Sequence, residues 1–91
     1  MQEPITKELL VENKMGIHAR PAAMFVKIAG QFNADIFVEN DGERINGKSI
    51  MGLMMLAAGP GSRLVIEATG PDAQEAIDAI TELLESKFNE G

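Results

Sequence analysis

From residue 73 to residue 88, apolar side chains recur every three or four positions: Ala73, Ala76, Ile77, Ile80, Leu83, Leu84 and Phe88. That period gathers them on one side of an α-helix, while Glu75, Asp78, Glu82 and Glu85 fall on the other. A helix divided in this way needs an apolar surface to cover. Asp72, followed by Glu75 three residues on, reads as a capping box with Asp in the Ser/Thr place and sets the helix start.

The surface it covers is a sheet. Alternation predicts a strand over 5–12, with Leu9 and Val11 on one face and Glu8, Leu10 and Glu12 on the other. It predicts further strands over 34–39, with Ile36 and Val38 inward, and over 63–68, with Leu64, Ile66 and Ala68 inward. Asn40-Asp41-Gly42 is a hairpin signal, because Asp-Gly supplies the positive φ of tight turns, and a short strand over 43–46 returns from it. Residues 19–31 follow a helical period with Ala22, Phe25, Val26 and Ala29 on one face, and 49–57 form a short helix burying Leu53 and Leu56. The order β-α-β-β-α-β-α is an α+β fold, a split βαβ plan with an added helix, in which one helical layer covers one sheet face. The other face is open, with Leu10, Phe37 and Val65 on it. A chain of 91 residues with neither repeat nor linker makes a single domain over 1–91, burying about 60–65% of its unfolded surface.

Composition removes several function classes. With 8 Lys and Arg against 14 Asp and Glu, the net charge of −6 argues against a nucleic-acid partner. The whole −6 lies in residues 64–91, and residues 1–63 sum to zero. Within that neutral part, 13–34 (Lys14, Arg20, Lys27) and 44–66 (Arg44, Lys48, Arg63) carry bases and no acid. The absence of Cys excludes disulfides and thiolate metal sites, and a single His excludes a multi-histidine centre, so neither metal nor cofactor is expected. No run reaches the ~18–20 apolar residues of a membrane span. Residues 1–13 are acidic where a signal peptide would be basic, so a cytoplasmic protein is expected.

The lone His18 stands in Gly16-Ile17-His18-Ala19-Arg20-Pro21-Ala22. Proline is tolerated in the first helical turn, where its missing N–H would have no intrahelical acceptor. With His18 as N-cap, Pro21 is the third helical residue, the amides of Ala19 and Arg20 precede the helical ladder, and Ile17 and Ala22 take staple positions. Histidine is a poor N-cap beside Ser, Asp or Asn, and a local rule broken at a helix start points to function. Helix amides and dipole make an anion site, to which Arg20 adds a guanidinium fork. A neutral ring at this place could attack a phosphoryl group and, as a good leaving group, pass it on. No carboxylate within 13–34 could orient the ring for hydrolysis or complete a metal site. By position and composition alone, His18 reads first as an ordinary polar residue at a helix start, with anion or phosphoryl chemistry second.

The run Gly16–Ala22 resembles the active-site signature of HPr, the histidine-containing phosphocarrier family of the bacterial phosphoenolpyruvate-dependent sugar phosphotransferase system. Gly47-Lys48-Ser49-Ile50-Met51-Gly52-Leu53-Met54 resembles that family's regulatory serine segment, and the likeness continues through the last strand and helix. The resemblance implies an open-faced β-sandwich, with three helices on one face of a four-stranded antiparallel sheet of order 1-4-2-3. It implies a carrier, not an enzyme with turnover of its own. His18 would take a phosphoryl group on Nδ1 from phospho-enzyme I and give it to IIA components of sugar permeases, with Arg20 orienting the phosphate. A monomer is expected.

Ser49 starts the second helix, where serine is most simply a cap; the resemblance makes it a target of HPr kinase/phosphorylase. Phosphate at a helix N-terminus is tolerated electrostatically. So short a helix cannot bury every side, so Ile50, Met51 and Met54, with Met24, are expected to form an adaptable apolar patch. Lys27 and Lys48 would rim it, and the resemblance makes it the docking surface. Gly30 and Gly52 stand where several relatives carry Lys, which thins that rim, and Pro60 is atypical of its loop. Two other readings remain. One is a carrier of the nitrogen-related branch, against which Gly47–Gly52 speaks. The other is a mainly regulatory binding module like the family's catabolite-repression paralogue, which lacks the active histidine that this chain keeps.

Overall fold

The structure, a computed structural model, describes residues 3–89. Four strands, β1 (Ile5–Leu10), β2 (Asp35–Asn40), β3 (Glu43–Asn46) and β4 (Arg63–Thr69), form one antiparallel sheet of order β1-β4-β2-β3. Helices α1 (Ala19–Ala29), α2 (Ile50–Met55) and α3 (Ala73–Glu85) lie on one face. The expected α+β open-faced sandwich is therefore the observed one. β4 is central because its alternation is complete: Leu64, Ile66 and Ala68 are buried, and register sets Ile66 opposite Val38 on one side and Lys7 on the other. Lys7 shares the inner parity of edge strand β1 but remains exposed, a charge that discourages pairing with another sheet.

The hairpin forms as its residues require. Asn40 pairs with Glu43, leaving Asp41 (φ 52°) and Gly42 (φ 84°) as a two-residue loop with both φ positive. Phe25 of α1, Leu53 of α2 and Ile80 and Leu84 of α3 meet the inner sheet residues Ile36, Val38, Leu64 and Ile66 in a single buried core. Losing any one of these large side chains to Ala would cost about 2–5 kcal/mol.

Several boundaries move. β1 stops at Leu10 rather than 12; Val11 still bonds beyond it, but to the turn that precedes β4 (N to Ser62 O 2.9 Å, O from Gly61 N 2.8 Å). α1 ends at Ala29 with Gly30 as its C-cap, two residues short of the predicted end. The stripe on α3 is buried as read, but Phe88 is not on the helix. Lys87, Phe88 and Asn89 all turn left-handed (φ 55–59°), and this turn swings Phe88 into the core. The capping box does not form. Asp72 occupies the N-cap, but its carboxylate turns away to accept from the amides of Asn33 and Ala34, both at 2.8 Å. Those amides hold its carboxyl below the ordinary range, and Asn33 does most.

The open face carries Leu10, half-buried Phe37 and half-buried Val65, as expected. It also carries most of the second acid-free stretch's charge, already paired. Arg44 makes a two-point bond to Glu67 (3.2 and 2.8 Å) and lies 4.2 Å above the Phe37 ring, and Arg63 bonds Glu8 at 2.8 Å. The Glu67 hydrogen bond raises the Arg44 pKa, and the Arg44 bond lowers that of Glu67. The second basic stretch is thus not one patch: Arg44 and Arg63 lie on strands with the open-face parity, whereas Lys48 lies beyond β3 and reaches Phe32 O.

Candidate functional site

The chain reaches α1 through a tightly fixed loop. Asn13 is buried and its Nδ2 donates to Gly16 O at 2.8 Å, while Ile17 N donates to Ala58 O at 2.8 Å. Gly16 has φ +69°, and a Cβ there would sit 2.4 Å from Ala58 O and 2.7 Å from Gly59 Cα. Only glycine fits, because both the backbone angle and the close approach exclude a side chain. This contact joins the loop before α1 to the loop after α2.

His18 is the N-cap of α1 in extended conformation (φ −102°, ψ −166°), and its side chain makes no capping hydrogen bond. Its carbonyl accepts from Ala22 N at 2.9 Å, so the amides of Ala19 and Arg20 come before the first helical bond. Pro21 and Ala22 are buried on the inner side of that turn together with Ile17, whereas Ala19 and Arg20 are exposed. The imidazole Nε2 is buried, although the residue as a whole is partly open to solvent. The ring therefore has one nitrogen turned into the protein. With no acid in the first turn of α1, nothing on that turn cancels the positive end of the dipole.

Ser49 is the N-cap of α2 (φ −115°, ψ 114°), and its Oγ accepts from Gly52 N at 3.0 Å. A Cβ at Gly52 would come within 3.2 Å of both that Oγ and Ile45 Cβ, so a lysine there would press on the cap itself. Lys48 Nζ donates to Phe32 O at 2.8 Å, which ties it to the loop following α1. Lys27 is exposed in the last turn of α1, and Met24 is half-buried.

α2 packs against α1 and β3 through Leu53, and Ile50, Met51 and Met54 are exposed as expected. Two further methionines are exposed: Met55, one helical turn after Met51, and Met15, next to Gly16, whose loop meets the loop after α2. Helical spacing from Met51 would have revealed Met55. Met15 had no signal, because only the fold brings its loop against the end of α2. Among the described residues, no cluster of His, Cys, Asp or Glu could hold a metal ion, and no helix is long and apolar enough to cross a membrane.

A family model for the PTS HPr component phosphorylation site matches residues 5–86. The chain is 42% identical over 87 residues to the phosphocarrier protein HPr of Cupriavidus necator, covering 96% of this chain and 98% of that one. It is 46% identical over 83 residues to the HPr-like protein Crh of Halalkalibacterium halodurans, covering 91% and 99%. Among solved structures, HPr-C-His from Thermoanaerobacter tengcongensis matches with a TM-score of 0.92 at 45% identity, covering 96% of this chain and 98% of that one.

Proposed function

The chain belongs to the HPr family of phosphotransferase-system phosphocarriers, and from that premise we propose that His18 is its phosphoryl acceptor. The observation that carries this is His18 at the head of α1 with no capping bond from its side chain and Nε2 turned inward. On this reading Nδ1 is the nitrogen that takes the phosphoryl group. Its lone pair attacks the phosphorus of phospho-enzyme I; the N–P bond forms as the donor's bond to phosphorus breaks. The amides at the start of α1 and the Arg20 guanidinium hold the phosphate oxygens. A IIA component of a sugar permease then takes the group, and the imidazole leaves unchanged. The protein is a carrier in the cytoplasm, without metal or cofactor, and the half-buried Met24 and exposed Lys27, Lys48, Ile50, Met51 and Met54 form its docking surface.

Incubation with phosphoenolpyruvate and enzyme I tests the reading. One acid-labile, base-stable phosphate should appear on the protein and be absent from His18→Ala; a phosphate that persists in that variant overturns the mechanism. The carrier works as a single copy, so it should elute at its 9.8 kDa mass.

Regulation enters at Ser49. Its Oγ already accepts from a helix amide, and phosphate oxygens could take over that role without unfolding α2. The kinase of this family with ATP should leave an acid-stable phosphate that Ser49→Ala lacks. A mainly regulatory role, as the likeness to Crh suggests, is the second reading. His18 speaks against it, and Gly47–Gly52 favours the sugar over the nitrogen branch.

A further inference from the structure

α2 has no charged residue at all: its sequence is Ile-Met-Gly-Leu-Met-Met. At about 100° per residue, Ile50, Met54, Met51 and Met55 span about 140° of its circumference, and Leu53 points away from them into the core. Met51 and Met55 are 73% and 71% exposed, and Met15, across the Ile17–Ala58 contact, is 74% exposed. Side chains so open leave their thioether sulfurs within reach of solutes. The full sequence holds no cysteine, so no thiol on this chain would consume an oxidant first.

We propose that Met15, Met51 and Met55 form a reversible oxidation site whose sulfoxides weaken partner docking at the face around His18. This rests on the reading of α2 as a docking surface and adds its regulation. The oxidant is a peroxide. A sulfur lone pair attacks one peroxide oxygen, the S–O bond forms as the O–O bond breaks, and the other oxygen leaves as water. The thioether gives two electrons and the peroxide receives them. A methionine sulfoxide reductase drawing on a thiol reductant reverses the change, returning the oxygen as water. The product is a strongly polar, hydrated group where a flexible apolar one stood, and docking must then strip that water without replacing its hydrogen bonds. The fold is untouched, because these side chains lie outside the core.

The experiment treats the whole protein with hydrogen peroxide, maps the added oxygens by peptide mass, and measures phosphate uptake from enzyme I and phosphoenolpyruvate. Sulfoxide should appear on Met15, Met51 and Met55 before half-buried Met24. The KM for the carrier should rise about tenfold, equivalent to ~1.4 kcal/mol, with kcat and the melting temperature unchanged. A methionine sulfoxide reductase with dithiothreitol should restore the KM. Met51→Leu and Met55→Leu, each compared with its own untreated form, should lose part of the sensitivity. An unchanged KM on protein mapped as oxidised overturns the proposal, as does oxidation that starts at Met24 or a KM that the reductase does not restore. Untreated protein that takes no phosphate on His18 overturns the underlying functional reading, whereas equal uptake by untreated and oxidised protein overturns this inference alone.

Discussion

Helices α1 and α2 start alike and end up with different work. Each is preceded by one residue in extended conformation whose carbonyl accepts the first helical bond, Ala22 N to His18 O at 2.9 Å and Leu53 N to Ser49 O at 3.1 Å. At Ser49 the side chain folds back onto Gly52 N, so the helix satisfies its own donor. At His18 the side chain makes no such bond, and on the proposed reading the first-turn amides serve the phosphoryl group instead. A self-capped start stabilises its helix; a start with histidine at the cap gives up that stability, and in the proposed function would gain a place for a charged ligand. The same covalent addition, a phosphoryl group, would therefore be transient cargo at one start and a lasting charge at the other.

The sharpest way to break this comparison is His18→Ala. Phosphate uptake should vanish while unfolding free energy changes by less than about 1 kcal/mol, since no capping bond is lost. A large destabilisation would show that His18 caps after all. Gly16→Ala should destabilise by more than ~3 kcal/mol in urea unfolding, because the added carbon meets Ala58 O at 2.4 Å in a left-handed backbone. Next in size is Arg20→Ala, for which the rate of transfer to His18 should fall about 100-fold through loss of charge-assisted bonds to the transferring group. Ser49→Ala should cost ~1 kcal/mol of stability, the usual loss of a serine cap, measured by thermal unfolding.

The smallest effect belongs to the third helix start. The Asp72 carboxyl is held below its ordinary value of 3.8 by the Asn33 and Ala34 amides, so its ionised form stabilises the fold above that pH. That contribution is lost as pH falls through the lowered folded value. The difference in melting temperature between the native protein and Asp72→Asn should therefore be present at neutral pH and close on acidification. A difference independent of pH would mean that the carboxylate's charge is not what those amides recognise.

Much of this could be read locally. Ser49 was legible as a cap, since a cap and its amide lie three residues apart, and the same local logic placed His18 and Pro21 at the start of α1. Asp72 was misread for the complementary reason: Glu75 was near in sequence, but the amides it meets lie 38 and 39 residues away. Arg44 and Arg63 looked like part of a basic patch until strand register sent them to the open face beside Glu67 and Glu8. Met55 could have been found by helical period; Met15 could not.

Periodicity, turn chemistry and helix punctuation act over a few residues, so the sequence by itself determined the elements, their order, their buried faces and the position of His18. Where charges end up, which carboxylate serves which amide, and how the loop before α1 meets the loop after α2 depend on groups far apart along the chain. Those contacts exist only once burial of the apolar faces has fixed the sheet register and the helix packing. The tertiary structure alone decided them.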